Sequence, residues 1–216
     1  MQKHDLAIIG AGPVGMALAL ALKDSGLDIV LLDARARGAA RHDPRVLALS
    51  HGTRLTLERL GIWAQLPVTA IETIHISQQG GLGRTVLSAD EYGQPALGYV
   101  VAAGALAAAL DDALQAAAIP VRDHATVIGI AAGADDAIVS LADGSHLSSR
   151  LAACAEGAVA GDDHSALVEH DYAQHAVISV ATPAASHGGR AWERFTPQGP
   201  LAVLPCGPDC AIVHTA

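Results

Sequence analysis

The feature that most constrains this chain is a glycine triplet, Gly10-x-Gly12-x-x-Gly15, set between an apolar run at residues 6–9 and a helix-favouring series at 16–23. A second apolar run at 28–33 ends on Asp33, 18 residues after Gly15. Strand, tight turn, helix and strand in that order make a parallel βαβ unit. Each part of the motif has its own chemical reason. The first glycine permits the turn, the second lets a pyrophosphate approach backbone N–H groups, and the third lets helix and strand pack closely. Pro13 suits the first helical turn, where its missing N–H leaves no bond unmade. The helix N-terminus offers donors and a positive dipole end to an anion, and Asp33 is placed to accept from ribose hydroxyls. Glycines serving only a packed turn are the competing explanation, but strand, turn, helix, strand and acid coincide here, and dinucleotide binding is the expectation.

Composition narrows the class. The 216 residues are 51% hydrophobic and 16% charged, enough apolar material for a sizeable core and too much for a disordered chain. Only 3% are aromatic, so the core is built of small and aliphatic side chains. With 13 basic and 22 acidic residues the formal charge is −9, which disfavours binding to nucleic-acid backbones or anionic lipid. Cys154, Cys206 and Cys210 are too few for a disulfide framework and fit a reducing cytoplasm as ordinary turn-associated thiols. Lys3 and His4 before an apolar stretch imitate a signal peptide, but Asp5 and the glycine interruption contradict one. The uncharged stretch 92–110 contains Gly93, Gln94, Pro95 and Gly98 and reads as a loop followed by a buried helix, not a membrane span. A soluble cytoplasmic protein with at most peripheral contact to the inner membrane is expected.

Along the chain, residues 51–61 carry Leu55, Leu57 and Leu60 among charged residues and predict an amphipathic helix closed by Gly61. From Ala70 the pattern alternates, and a Gly80-Gly81-Leu82-Gly83 turn leads to a second extended piece at 84–88. Leu106, Leu110 and Leu114 form one stripe of a helix over 102–118. Strand-like runs follow at 125–130, 137–141 and 146–153, with Asp135-Asp136 and Asp143-Gly144 as turns, and then at 174–182, 191–195, 201–204 and 211–215.

Several segments in order resemble the aromatic-ring flavoprotein hydroxylases of ubiquinone biosynthesis, the group that includes 2-polyprenyl-6-methoxyphenol hydroxylase. They are Ile9-Gly-Ala-Gly-Pro-Val-Gly15, Asp43-Pro-Arg-Val-Leu-Ala-Leu-Ser50, Leu60-Gly-Ile-Trp63, Leu97-Gly-Tyr-Val-Val101, Asp171-Tyr172 and Glu193-Arg-Phe-Thr-Pro197 running into Gly199-Pro-Leu-Ala-Val-Leu-Pro205. The resemblance implies an α/β fold: a Rossmann-like FAD-binding domain of the aromatic-hydroxylase type at about 1–69 and 99–165. A β-rich substrate domain is inserted at 70–98 and 166–216, C-terminally truncated. It also implies FAD as cofactor, with NADH or NADPH as co-substrate. The activity implied is that of a monooxygenase in which O2 adds to the reduced flavin as a hydroperoxide and a polyprenylated phenol is hydroxylated. By position, Gly10, Ala11, Gly12, Pro13, Val14 and Gly15 would line the pyrophosphate and Asp33 the ribose. Arg45 would lie on the flavin side, where a guanidinium grips oxygens in a fixed fork, and Val127 beside the adenine. No catalytic residue is assigned. The partner is a hydrophobic phenolic molecule, and a homo-oligomer or a complex of the ubiquinone-biosynthesis enzymes stays open.

The chain departs from that pattern. Ala102-Ala103-Gly104 stands where the family has an arginine, and Glu156 of Cys154-Ala155-Glu156-Gly157 replaces an aspartate. The family's later Gly-Asp motif falls beyond residue 216. The expectation is therefore either a piece of a longer hydroxylase or a non-catalytic, nucleotide-binding remnant completed by a partner chain, holding FAD weakly by itself.

Three other constellations are weaker. Ser50 in Ala-Leu-Ser-His-Gly lacks the first glycine of a hydrolase elbow. His164, His170 and His175 with Asp162, Asp163 and Asp171 do not match a zinc spacing. Residues 192–195, with Trp192 and Phe195, read as strand packing that borders a phenol pocket if the resemblance holds.

Overall fold

A computed structural model describes residues 2–157 and 170–215. In chain order the elements are β1 (Gln2–Ile9), α1 (Pro13–Ala21), β2 (Ile29–Leu32), β3 (Val46–Leu49), α2 (His51–Arg59), β4 (Thr69–Ile71), β5 (Thr73–Gln78), β6 (Arg84–Ser88) and β7 (Gly98–Ala102). They continue with α3 (Ala103–Ala116), β8 (Val121–Arg122), β9 (Val127–Ala132), β10 (Ala137–Leu141), β11 (His146–Cys154), β12 (Ala176–Ala181), β13 (Arg190–Thr196), β14 (Gly199–Cys206) and β15 (Asp209–Thr215). Two compact units result: one of Met1–Asp43, Leu60–Ile62 and Leu106–Glu169, the other of Pro44–Arg59, Trp63–Ala105 and His170–Ala216.

The first unit holds a six-stranded sheet in the order β8-β2-β1-β11-β10-β9. β1 runs parallel to β2 on one side and β11 on the other, with Ile9 level with both Leu32 and Cys154. The three strands thus end together, and Gly10, Asp33 and Ala155 emerge from one end of the sheet, where open α/β sheets bind their ligands. β9, β10 and β11 form an antiparallel meander. Its core gathers Ala7, Ile9, Val30, Leu32, Ala125, Val139, Leu141 and Leu147. α1 buries Met16, Ala19 and Leu20, and Leu106, Leu110 and Leu114 of α3 are buried as one stripe, each such leucine contributing about 1.5–3 kcal/mol.

The second unit contains a sheet of order β12-β15-β14-β13-β5-β6 and a smaller antiparallel sheet, β3-β7-β4. Ile71, Val100 and Ala191 form its buried cluster. The Arg54 guanidinium lies 5.6 Å from the Trp63 ring centroid and 5.4 Å from that of Tyr99, and donates to the Tyr99 hydroxyl at 2.6 Å, tying α2 to β7. Gly207 (φ 61°) and Pro208 make a two-residue hairpin joining β14 to β15.

Two sequence expectations change. The stretch read as a loop before the helix contains β7: Tyr99, Val100 and Val101 are buried because β7 pairs with β3 and β4 at once, and such a doubly flanked strand reads as a continuous apolar run without alternation. β1 also starts earlier than its apolar core, since β11 pairs with polar residues as far back as Gln2. Among the described residues no helix is long and apolar enough to cross a membrane.

Candidate cofactor site

The turn after β1 explains its glycines one by one. Gly10 has φ 101°, and a Cβ there would lie 2.7 Å from the Ala155 carbonyl oxygen and the Glu156 Cα. A Cβ on Gly15 would come within 2.0 Å of the Gly10 carbonyl oxygen and 3.2 Å of Ile8 Cγ2. The protein's own packing demands these two glycines. Gly12 differs: its φ is −81° and a Cβ would meet none of the described residues within 4 Å. Neither backbone nor packing requires glycine there, so open space has been kept above the turn. A pyrophosphate approaching backbone amides needs that space, and the residues fit the group.

Gly12 is also the N-cap of α1, Pro13 opens the helix, and the first turn carries neither a side-chain cap nor an acidic residue. Its orphan N–H groups and positive dipole end are therefore left for an anion. Val14 is 71% exposed beside them. The turn is fixed by the Gly10 amide donating to Leu32 O at 2.7 Å and the Ala155 amide to Ile9 O at 2.7 Å. The segment carrying Glu156 thus packs directly against Gly10.

Asp33 is 8% exposed at the end of β2. Its Oδ2 accepts from the Ala11 amide at 2.9 Å and Arg35 Nη2 at 3.0 Å; its Oδ1 accepts from the Arg35 amide at 2.8 Å and Arg35 Nε at 3.0 Å. Burial pushes this carboxyl up, but the Arg35 side chain, the Arg35 amide and the Ala11 amide together hold it below its ordinary value. Val127 opens β9, pairs with Leu141 and packs on the sheet core, two residues beyond Ala125, whose amide donates to Asp33 O at 2.8 Å. The glycines, Asp33 and Val127 all belong to the first unit. Arg45 belongs to the second, exposed just before β3, with its carbonyl accepting from the Ala103 amide at 2.9 Å.

Sequence reasoning missed two groups here. One is Arg35. The other is Asp111 of α3, 8% exposed, which accepts from Arg37 Nε at 3.1 Å and from Arg41 Nε and Nη2 at 3.1 and 2.7 Å, while Arg41 also pairs with Asp112. These bonds pin the segment after β2. The pairing of Arg41 with Asp111 spans 70 positions, beyond any local pattern.

The other candidates among the described residues have local structural surroundings of their own. Ser50 Oγ accepts from the Thr53 amide at 3.1 Å and so caps α2. Among the described residues no three His, Cys, Asp or Glu side chains gather as a metal site; His170 stacks edge-on against Tyr172 at 4.6 Å. His164, Asp162 and Asp163 lie outside the described residues. Trp192 lines an apolar pocket of the second unit with Val203, Cys210 and Ile212, whereas Phe195 is half-exposed. Cys206 ends β14 and Cys210 is buried in β15, where burial pushes its thiol up.

Comparison with known proteins gives the family and the fold. Residues 3–179 match the FAD binding domain family. The chain is 29% identical over 213 residues to the ubiquinone hydroxylase UbiL of Rhodospirillum rubrum, covering 93% of this chain and 49% of that protein. It is 28% identical over 218 residues to the 3-demethoxyubiquinol 3-hydroxylase of Escherichia coli, covering 94% and 55%. The chain thus spans about half the length of these curated relatives. Among solved structures, p-nitrophenol 4-monooxygenase PnpA of Pseudomonas putida superposes with a TM-score of 0.79 at 16% identity, over 100% of this chain and 58% of that one. PqsL of P. aeruginosa superposes at 0.75 and 17% identity, over 99% and 60%. The fold is that of the FAD-dependent aromatic hydroxylases. Because the family match takes in most of its length, the chain belongs to the FAD binding domain family.

Proposed function

We propose that this chain binds the ADP half of FAD through Ala11, Gly12, Pro13, Val14 and Asp33, as the nucleotide-binding part of a monooxygenase that hydroxylates a polyprenylated phenol in ubiquinone biosynthesis with NAD(P)H and O2. The observation carrying the reading is Gly12, a glycine that none of the described residues requires and that stands at the approach to the α1 N-terminus. When bound, FAD supplies the redox chemistry, and this chain's residues bind and orient it. The α1 amides take the phosphates and Asp33 takes the ribose. The ubiquinone pathway and the phenolic substrate rest on the hydroxylase relatives. The second reading, binding without turnover, is favoured by Glu156 packed against Gly10 and by the absence of an arginine at residues 102–104.

Flavin fluorescence titration tests the proposal with the Gly12→Asn variant. Asparagine is a good N-cap and its Cβ meets none of the described residues, so folding by circular dichroism should be unchanged. FAD affinity should fall about tenfold or more. Equal affinity in the two proteins, or no FAD binding by the parent, would refute the site.

A further inference from the structure

The Asp33 carboxylate is full. An ionised carboxylate has about four lone-pair positions, and here four donors occupy them: the Ala11 amide and Arg35 Nη2 on Oδ2, the Arg35 amide and Nε on Oδ1. Each oxygen thus holds one backbone donor and one guanidinium donor. The backbone donors are fixed by the turn after β1 and the end of β2. The guanidinium is carried on a side chain 56% exposed and can leave.

A ribose diol presents two O–H donors side by side, the same count and arrangement as the Arg35 fork. We infer that Arg35 is a competing ligand for Asp33, holding the acid in the geometry of the nucleotide-bound state and giving up both positions when an adenosine ribose arrives. This rests on the reading of the first unit as a nucleotide site. Arg35 sets affinity and does no chemistry: it keeps the buried carboxylate ionised and oriented while the site is empty, and each nucleotide must displace one bidentate pair. The exchange conserves hydrogen bonds, since two guanidinium bonds are replaced by two hydroxyl bonds while the amides of Ala11 and Arg35 stay in place.

The test uses the whole chain and two probes, adenosine and 2′,3′-dideoxyadenosine, titrated into the parent and into Arg35→Met, which keeps the apolar stem and loses the fork. Binding is read from the backbone amide resonances of Ala11 and Gly12, and release of the fork from the Arg35 Nε–H resonance of the parent. Adenosine should bind Arg35→Met about fivefold more tightly than the parent. Dideoxyadenosine should bind both proteins equally, and adenosine should shift the parent's Arg35 Nε–H. An Arg35→Met protein that gains nothing on adenosine, or gains as much on the dideoxy compound, overturns the inference while leaving the nucleotide site standing. Amides of Ala11 and Gly12 that respond to neither adenosine nor FAD in either protein remove the nucleotide reading and this inference with it.

Discussion

At the residue scale, the three glycines of one motif do different work, and substitution separates them. Gly10→Ala places a side chain at φ 101° and 2.7 Å from backbone atoms of Ala155 and Glu156. Gly15→Ala drives a methyl into the Gly10 carbonyl. Neither neighbour is a flexible side-chain tip, so the backbone itself must shift. Each change should cost about 1–3 kcal/mol and lower Tm by several degrees. Gly12→Asn should leave Tm within about 1 °C of the parent while lowering FAD affinity about tenfold or more. A thermal melt of the three variants checks this, and a Gly12 variant as unstable as the other two would make the motif purely structural. The motif and Asp33 were legible because their spacing is imposed by βαβ geometry. Arg35 was not, because an arginine two residues past an acid carries no periodicity, and its fork exists only once the chain turns after β2. The open space above Gly12 is likewise a property of atoms around the turn that no residue letter encodes.

At the element scale, α3 was legible from its leucines, and β7 was hidden by having partners on both sides. What neither pattern revealed is how the segment after β2 is held. Asp111 reaches out from α3 to Arg37 and Arg41, and the buried end of this pair is the acid. Both arginines are about one-third exposed and can rehydrate when released, so Asp111→Asn should lose only about 1 kcal/mol of stability. Its effect should instead be local: amide hydrogen exchange of Arg41 and Asp43, which donate to Gly38 O and Ala40 O, should quicken while the amides of β1 stay protected. If β1 exchanges faster to the same degree, the pairing supports the whole unit and not one segment.

At the scale of the whole molecule, the first unit is assembled from three stretches of chain, and no run of glycine, proline or serine marks where the chain leaves it at residue 43 or returns at 106. Composition established an ample core but could not apportion it, because the two units share the same aliphatic vocabulary. The topology has a kinetic consequence. β9, β10 and β11 are joined by short turns, whereas β1 must find β11 across nearly the whole unit: Arg150 and Asp5, 145 residues apart, form an ion pair beside that register. Loop closure over such a distance must precede the contacts that reward it, while hairpins close in about 1–10 μs. During refolding the meander should therefore form first and template the parallel pairing with β1. Pulse-labelled hydrogen exchange reads this directly, with Val139 of β10 protected before Ala7 and Ile8 of β1. Protection of β1 together with or ahead of Val139 would mean that the βαβ half nucleates the unit, and with it the glycine turn, before β11 arrives to support Gly10.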